Sequence, residues 1–137
     1  MLGSEIMKII ACVDNDMGLM FHQRRQTQDR IVRENIKALK ERIYMNEYSY
    51  QLYKDTLDDV IVDNDFIKHG ENHYCLIENV SVKDCDIDEM ILYRWNTIYP
   101  CDYYLDIDLS KFQLVKQEMF KGSSHEVTKE IYRKEKG

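Results

Sequence analysis

The sequence predicts an α/β fold, arranged as a single three-layer domain with a mixed, mostly parallel central sheet and a C-terminal antiparallel hairpin. Three observations predict it. A continuous apolar run at residues 9–13 is typical of a central strand that is buried on both faces. An amphipathic helix pattern follows that run. The last third of the chain contains two long alternating segments joined by the turn Gly122-Ser123-Ser124.

The length and composition limit the class of protein. With 137 residues the chain has the size of one ordinary domain, which we expect to span residues 7–137. The formal net charge of -6 disfavours nucleic acid as a partner, since phosphate binding needs basic surface. No apolar run reaches the length of a membrane span, so no membrane association is expected. Residues 1–6 resemble an added leader ahead of Met7, and without a signal-peptide pattern we expect a cytoplasmic protein.

The first helix should begin near Thr27 or Asp29, either of which can cap its first turn. Apolar residues then recur at helical spacing and predict a helix of roughly 12–14 residues. The stripe consists of Val32, Ile36, Leu39 and Ile43. Residues 42–45 fit either the end of that helix or the start of a strand.

The remaining elements follow from short apolar runs and from alternation. A tyrosine-rich second helix is predicted at 48–53. Strands of typical length and composition are predicted at 60–62, 73–77, 90–93, 112–120 and 125–133.

The order of these segments resembles the dihydrofolate reductase family. Residues 9–14 followed by Met17-Gly18 are similar to that family's first strand and the start of its active-site loop. Asp29 precedes the helical stripe, where the family has its catalytic carboxylate. Residues 90–94, 101–102 and 105–115 are similar to the family's late strand, its acidic connection and its final aromatic segment. The resemblance covers most of the chain and implies a dihydrofolate-reductase-like fold.

The residues that would bind the family's cofactor are missing. The family holds the NADPH pyrophosphate at a glycine pair after a buried strand, where this chain has Glu78-Asn79 after Ile77. A carboxylate at that position repels phosphate. The second phosphate-binding stretch corresponds to residues 45–48, which also differ. We therefore expect no cofactor and no NADPH-dependent hydride transfer. These differences favour a protein that is not an enzyme.

Charged residues concentrate at the start of the first helix. His22 and Asp29 are the candidate catalytic acid and base, and Arg24 and Arg25 are candidate ligands for an anion. The alternative is a solvated helix start in which Asp29 acts only as a cap. In that case asparagine should cap about equally well, while alanine should cost roughly 0.5–2 kcal/mol.

A second cluster contains Tyr93, Arg94 and Trp95, to which we add Tyr44 as a further candidate ligand contact. Its aromatic rings could form the wall of a pocket shared with Asp29, and the alternative is that they pack in the core. The loop at 24–30 and the strand at 93–96 also resemble those of short bacterial proteins that form a family of their own. No metal site is expected, because the Asp-rich segments lack the spacing of known metal loops and fit turn caps better.

Three functions remain open. The first is binding of a small anionic or heteroaromatic ligand near Asp29 on a reductase-like scaffold. The second is a protein-interaction role, such as an inhibitor protein of a mobile element, which the ten tyrosines favour. The third is a metal-independent nuclease in which His22 and Asp29 act as acid and base, although the acidic net charge counts against it.

Overall fold

The structure is a computed structural model that describes residues 6–135. Within this range the chain forms ten strands and three α-helices. The strands are β1 Lys8–Val13, β2 Gly18–Phe21, β3 Arg24–Arg25, β4 Ile43–Met45, β5 Val60–Val62, β6 Tyr74–Ile77, β7 Glu89–Arg94, β8 Tyr103–Tyr104, β9 Phe112–Lys121 and β10 Glu126–Lys134. The helices are α1 Arg30–Lys37, α2 Glu47–Tyr53 and α3 Phe66–His69, with a short 3-10 helix at Leu109–Lys111.

The main sheet has seven strands in the order β5-β4-β6-β1-β7-β10-β9. Strand β1 lies in its centre and pairs in parallel with β6 and β7, while β4 pairs in parallel with β5 and β6. Strand β10 runs antiparallel to both β7 and β9. The predicted α/β fold, with a mostly parallel sheet and a C-terminal antiparallel hairpin, is therefore confirmed.

Both faces of the main sheet are covered. Ile9 and Ala11 of β1 pack on one side, with α3, the small sheet β3-β2-β8 and the long connections. Ile10 packs on the other side, against Val32 and Ile36 of α1. Because successive strand residues point to opposite faces, one apolar strand contributes to two core layers.

The first helix is shorter than the sequence predicted. It ends at Lys37 after 8 residues, so the predicted length of roughly 12–14 residues is wrong, and of the two alternatives for residues 42–45 the start of a strand is the one observed. The chain turns at Lys40, whose positive φ of 55° is not helical, and Ile43 then begins β4. Leu39 follows the helix and Ile43 starts the strand, and both pack in the same core layer. Their spacing in the sequence therefore resembles that of a helix.

The other elements match their predictions. Helix α2 begins one residue before the predicted start and is capped by Asn46, whose side chain accepts from the Ser49 amide. The five predicted strands are present, and no bound differs from the prediction by more than one residue. No helix in the described part of the chain is long and apolar enough to cross a membrane. Of the predicted leader, residues 1–5 lie outside the described residues, and Ile6 pairs with the Asn72 backbone and side chain.

Candidate functional site

Asp29 is a buried helix cap. Only 4% of the residue is exposed. Its Oδ1 accepts hydrogen bonds from the backbone amides of Ile31 and Val32 at 2.9 and 3.1 Å, which satisfies two free N–H groups at the start of α1. Thr27, the other predicted cap, does not take this role.

The same carboxylate also holds the turn between β9 and β10. Its Oδ2 accepts from the Ser123 amide at 2.8 Å, and its Oδ1 accepts from the Ser123 hydroxyl at 3.2 Å. The neighbouring Gly122 permits this approach, because a Cβ there would lie 2.5 Å from the Asp29 carboxylate. Sequence reasoning missed Ser123, which it assigned only to a turn.

Arg25 forms an ion pair with Glu78. The guanidinium donates from Nε and Nη2 to the two carboxylate oxygens at 2.8 and 2.9 Å, and both side chains are mostly buried. The Ser49 hydroxyl donates to Glu78 at 2.8 Å, and the Arg25 guanidinium stacks over the Tyr48 ring at 4.5 Å. These contacts join β3, the start of α2 and the residue that follows β6.

A small cavity lies between Asp29 and this ion pair. Its volume is about 20 Å³, which is room for about one water molecule. Its walls come from β1, α1, α2 and the segment after β3. They include Cys12, Leu19, Arg25, Gln26, Asp29, Val32, Arg33, Leu52, Tyr53, Glu78 and Trp95.

Two buried polar atoms in the walls of this cavity lack a hydrogen-bond partner within residues 6–135. They are the Gln26 Oε1, an acceptor, and the Arg33 Nε, a donor. Gln26 is held in this orientation because its Nε2 donates to the buried Asp14 carboxylate at 3.2 Å. Arg33 is held through its Nη1, which donates to the Leu52 carbonyl at 3.3 Å. Buried polar groups are nearly always paired, so both atoms call for a bound partner.

An open groove of about 400 Å³ lies next to the cavity, on the other side of the ion pair. Glu78 borders the cavity and its neighbour Asn79 borders the groove, while Arg25 of the cavity wall contacts Tyr48 of the groove wall. The groove is lined by Met20, Gln23, Tyr48, Asn79, Asp102 and Tyr103. It lies beyond the carboxyl end of β6, at the edge of the sheet where α/β proteins bind ligands.

Two groups in the cavity wall, the Cys12 thiol and the Tyr53 hydroxyl, stay protonated at neutral pH. Burial and the nearby Glu78 carboxylate raise the pKa of the Cys12 thiol to about 12. Burial also raises the pKa of the Tyr53 hydroxyl well above its usual value. The cavity therefore offers no thiolate nucleophile.

Only part of the first predicted cluster comes together. Arg25, Asp29 and Trp95 all line the small cavity, yet Arg25 pairs with Glu78 and not with Asp29. His22 and Arg24 are exposed and are not among its lining residues. His22 lies in the turn between β2 and β3, where its ring stacks on Phe21. The acid and base pair that the nuclease hypothesis needs is therefore not assembled in this geometry.

The second predicted cluster is divided among separate environments. Tyr93 is fully buried, and its hydroxyl donates to Asn35 at 2.7 Å. Arg94 forms a mostly buried ion pair with Glu130. Tyr44 stacks on His73 with ring centroids 5.5 Å apart, in the core layer on the opposite face from α1. Trp95 alone of this cluster lines the cavity, and the structure does not bring Tyr44, Tyr93 and Arg94 to it. A ligand contact at these three residues stays a prediction.

Comparison with known proteins identifies the fold. The structure is similar to that of dihydrofolate reductase from Enterococcus faecalis complexed with NADP(H) and RAB-propyl, with a TM-score of 0.66 and 10% sequence identity. The match covers 96% of this chain and 97% of that one. No protein-family model matches the sequence, and no curated protein is significantly similar to it. The chain therefore has a divergent dihydrofolate-reductase-like fold.

The residues present do not fit the NADP(H) of such reductases. The Glu78 carboxylate lies where a pyrophosphate would need glycine amides, and Arg25 and Ser49 hold it there. Asn79 accepts from the Asn46 side chain at 2.8 Å, which ties together the ends of β4 and β6. A pyrophosphate would therefore meet an occupied ion pair at this site, and the glycine amides that it needs are missing.

Proposed function

We propose that this protein binds a small anionic or heteroaromatic molecule in the cleft beside Asp29, and that it does not transfer hydride from NADPH. The observation that carries the proposal is the pair of unpartnered buried atoms, Gln26 Oε1 and Arg33 Nε, whose residues line the same cavity. An acceptor and a donor that are both left free form a complementary site for a ligand with one donor and one acceptor.

The walls of the cleft limit the class of ligand. Trp95, Val32 and Leu19 supply apolar surface, which suits a flat ring. The Gln26 Oε1 can accept a hydrogen bond from an N–H of the ligand. The Arg33 Nε can donate one to a carbonyl oxygen, a ring nitrogen or a carboxylate oxygen. A cyclic amide carries both groups on one edge, whereas a plain carboxylate satisfies Arg33 alone.

A ring does not fit into about 20 Å³, so binding requires the cleft to widen. We propose that the Arg25 side chain moves, because it lies in the cavity wall and stacks on Tyr48 of the open groove of about 400 Å³. Rotation of Arg25 away from Glu78 would join the two spaces, and their sum lies in the range of small-molecule sites. Asp29 would hold the start of α1 to the turn between β9 and β10 and would not contact the ligand.

The proposal excludes NADPH-dependent chemistry because of the Glu78 carboxylate. Glu78 is one wall of the cleft, and three hydrogen bonds from Arg25 and Ser49 hold its carboxylate in place. A dinucleotide phosphate would thus find the Glu78 carboxylate, paired with Arg25, in place of open glycine amides.

The test uses two probes of defined chemistry, 2-pyridone as a cyclic amide and benzoate as an aromatic carboxylate. Trp95 is the only tryptophan and lines the cavity, so its indole N–H resonance in heteronuclear NMR reports on this site. We expect a saturable shift with 2-pyridone. Arg33→Met and Gln26→Leu should each weaken binding about tenfold, equivalent to about 1.4 kcal/mol.

Arg30→Met is the matched control, because Arg30 lies on the same helix but is exposed and pairs with Glu34. It should leave the binding constant unchanged. Saturation with benzoate that depends on Arg33 but not on Gln26 would assign the site to anions. The proposal is contradicted if neither probe saturates, or if all three variants bind as the wild type does.

A further inference from the structure

Strand β9 is an exposed edge of the main sheet. It is ten residues long and pairs with β10 on one side, and within residues 6–135 no strand lies on its other side. Every residue from Gln113 to Met119 is exposed, including three large apolar side chains. Leu114, Val115 and Met119 are 42%, 44% and 60% exposed. Such an edge presents free backbone groups to another strand.

The sequence of β9 is complementary to itself. In an antiparallel pair of identical strands centred on Gln117, Lys116 of each copy lies opposite Glu118 of the other. Opposite residues share a face at a Cβ separation of about 4.5–5.5 Å, within reach of an ion pair. Two charge pairs then form around one two-fold axis, and the exposed Val115 and Met119 lie just outside them.

We infer that β9 is the interface of a symmetric homodimer, in which two copies of this chain join their seven-stranded sheets edge to edge. A two-fold axis is the commonest symmetry of soluble oligomers, and it requires a surface that fits itself. The paired charges select the second copy as the occupant of this edge, and the exposed apolar side chains lose water on pairing. This inference does not depend on the small-molecule site.

Neighbouring registers are opposed by charge. Centring the pair on Lys116 brings two lysines together, and centring it on Glu118 brings two glutamates together. The β-bulge between Lys116 and Leu114 limits the regular pairing to a short ladder around Gln117. Neither Lys116 nor Glu118 forms an ion pair within the described chain, so both charges are free to pair across the interface.

The test is the mass in solution, measured by light scattering during size-exclusion chromatography over a series of loading concentrations. Wild type should approach twice the 16.5 kDa of the chain as concentration rises. Lys116→Glu and Glu118→Lys should each yield monomers, because each creates like charges at both symmetric positions. The double charge swap should restore the dimer, since it re-creates the same two pairs.

Lys121→Glu is the control on the same strand. In this register Lys121 lies opposite Gln113, so its charge reversal should leave the dimer intact. Circular dichroism verifies that each variant is folded, which the exposure of the three positions favours. A wild-type mass that stays at that of one chain overturns the inference. A charge swap that remains monomeric, or a Lys121→Glu variant that dissociates like Lys116→Glu, overturns it as well.

Discussion

Replacing Asp29 tests whether its carboxylate holds two parts of the chain together. Oδ1 caps α1, and Oδ2 accepts from the Ser123 amide in a turn 94 residues away. Asparagine keeps one oxygen for the cap and sets an NH2 group against the other donor. We therefore expect Asp29→Asn to destabilise the fold, contrary to the small loss that the sequence predicted for a simple cap.

The magnitude follows from the hydrogen bonds lost. Loss of the cap costs about 0.5–2 kcal/mol. An unsatisfied buried donor at Ser123 costs about 1–3 kcal/mol. Asp29→Asn should thus lower the free energy of unfolding by about 2 kcal/mol through Ser123 alone. Asp29→Ala should lower it by about 3 kcal/mol, because it also loses the cap.

Urea unfolding followed by circular dichroism measures both losses. Asp108→Asn is the matched control, because Asp108 also caps a helix through Oδ1, which accepts from Ser110, but it is exposed. Its change should stay under about 0.5 kcal/mol, since Asn and Asp cap about equally well. If Asp29→Asn is as mild as Asp108→Asn, the bond from Oδ2 to Ser123 contributes nothing and the reasoning is refuted.

Three further predictions concern the scaffold. Ile36→Ala should lower the free energy of unfolding by about 2–5 kcal/mol, because Ile36 of α1 is fully buried in the core layer between α1 and the main sheet; a urea-unfolding loss below about 0.5 kcal/mol would contradict this layer assignment. Arg94→Met should cost about 3 kcal/mol by leaving the mostly buried Glu130 without its counter-charge, and adding Glu130→Leu should recover most of that loss in the same assay. The hydrogen bond from His69 lowers the pKa of Asp63, so this contact stabilises the fold above the usual aspartate pKa and is lost as pH falls through the lowered value. Asp63→Asn should therefore weaken the fall of the urea midpoint in acid, and an unchanged acid profile would contradict this.

The fold could be predicted from the sequence where the local pattern and the tertiary environment agree. The apolar run of β1 predicted a central strand correctly, since both faces of that strand are buried. The end of α1 was mispredicted because Leu39 and Ile43 face the same core as the helix, and spacing alone does not distinguish a helix from a turn into a strand.

The candidate site was harder to predict because its partners are distant in sequence. Arg25 lies four residues from Asp29 but pairs with Glu78, 53 residues away. Gln26 and Arg33 carry no motif, and only their lack of partners in the folded chain marks them. Gly122 is a turn residue in the sequence, while in the fold it leaves room for the Asp29 carboxylate.

Calorimetric titration with NADPH tests most directly the central claim, a reductase-like fold whose cleft is closed to the dinucleotide by the Glu78 carboxylate. The Enterococcus faecalis reductase, whose structure is a complex with NADP(H), serves as the positive control in the same buffer. We expect no binding of NADPH with a dissociation constant of about 10 μM or tighter, which corresponds to about -7 kcal/mol. A measured constant below that value would contradict the account, because it would require phosphate to be accepted beside Glu78.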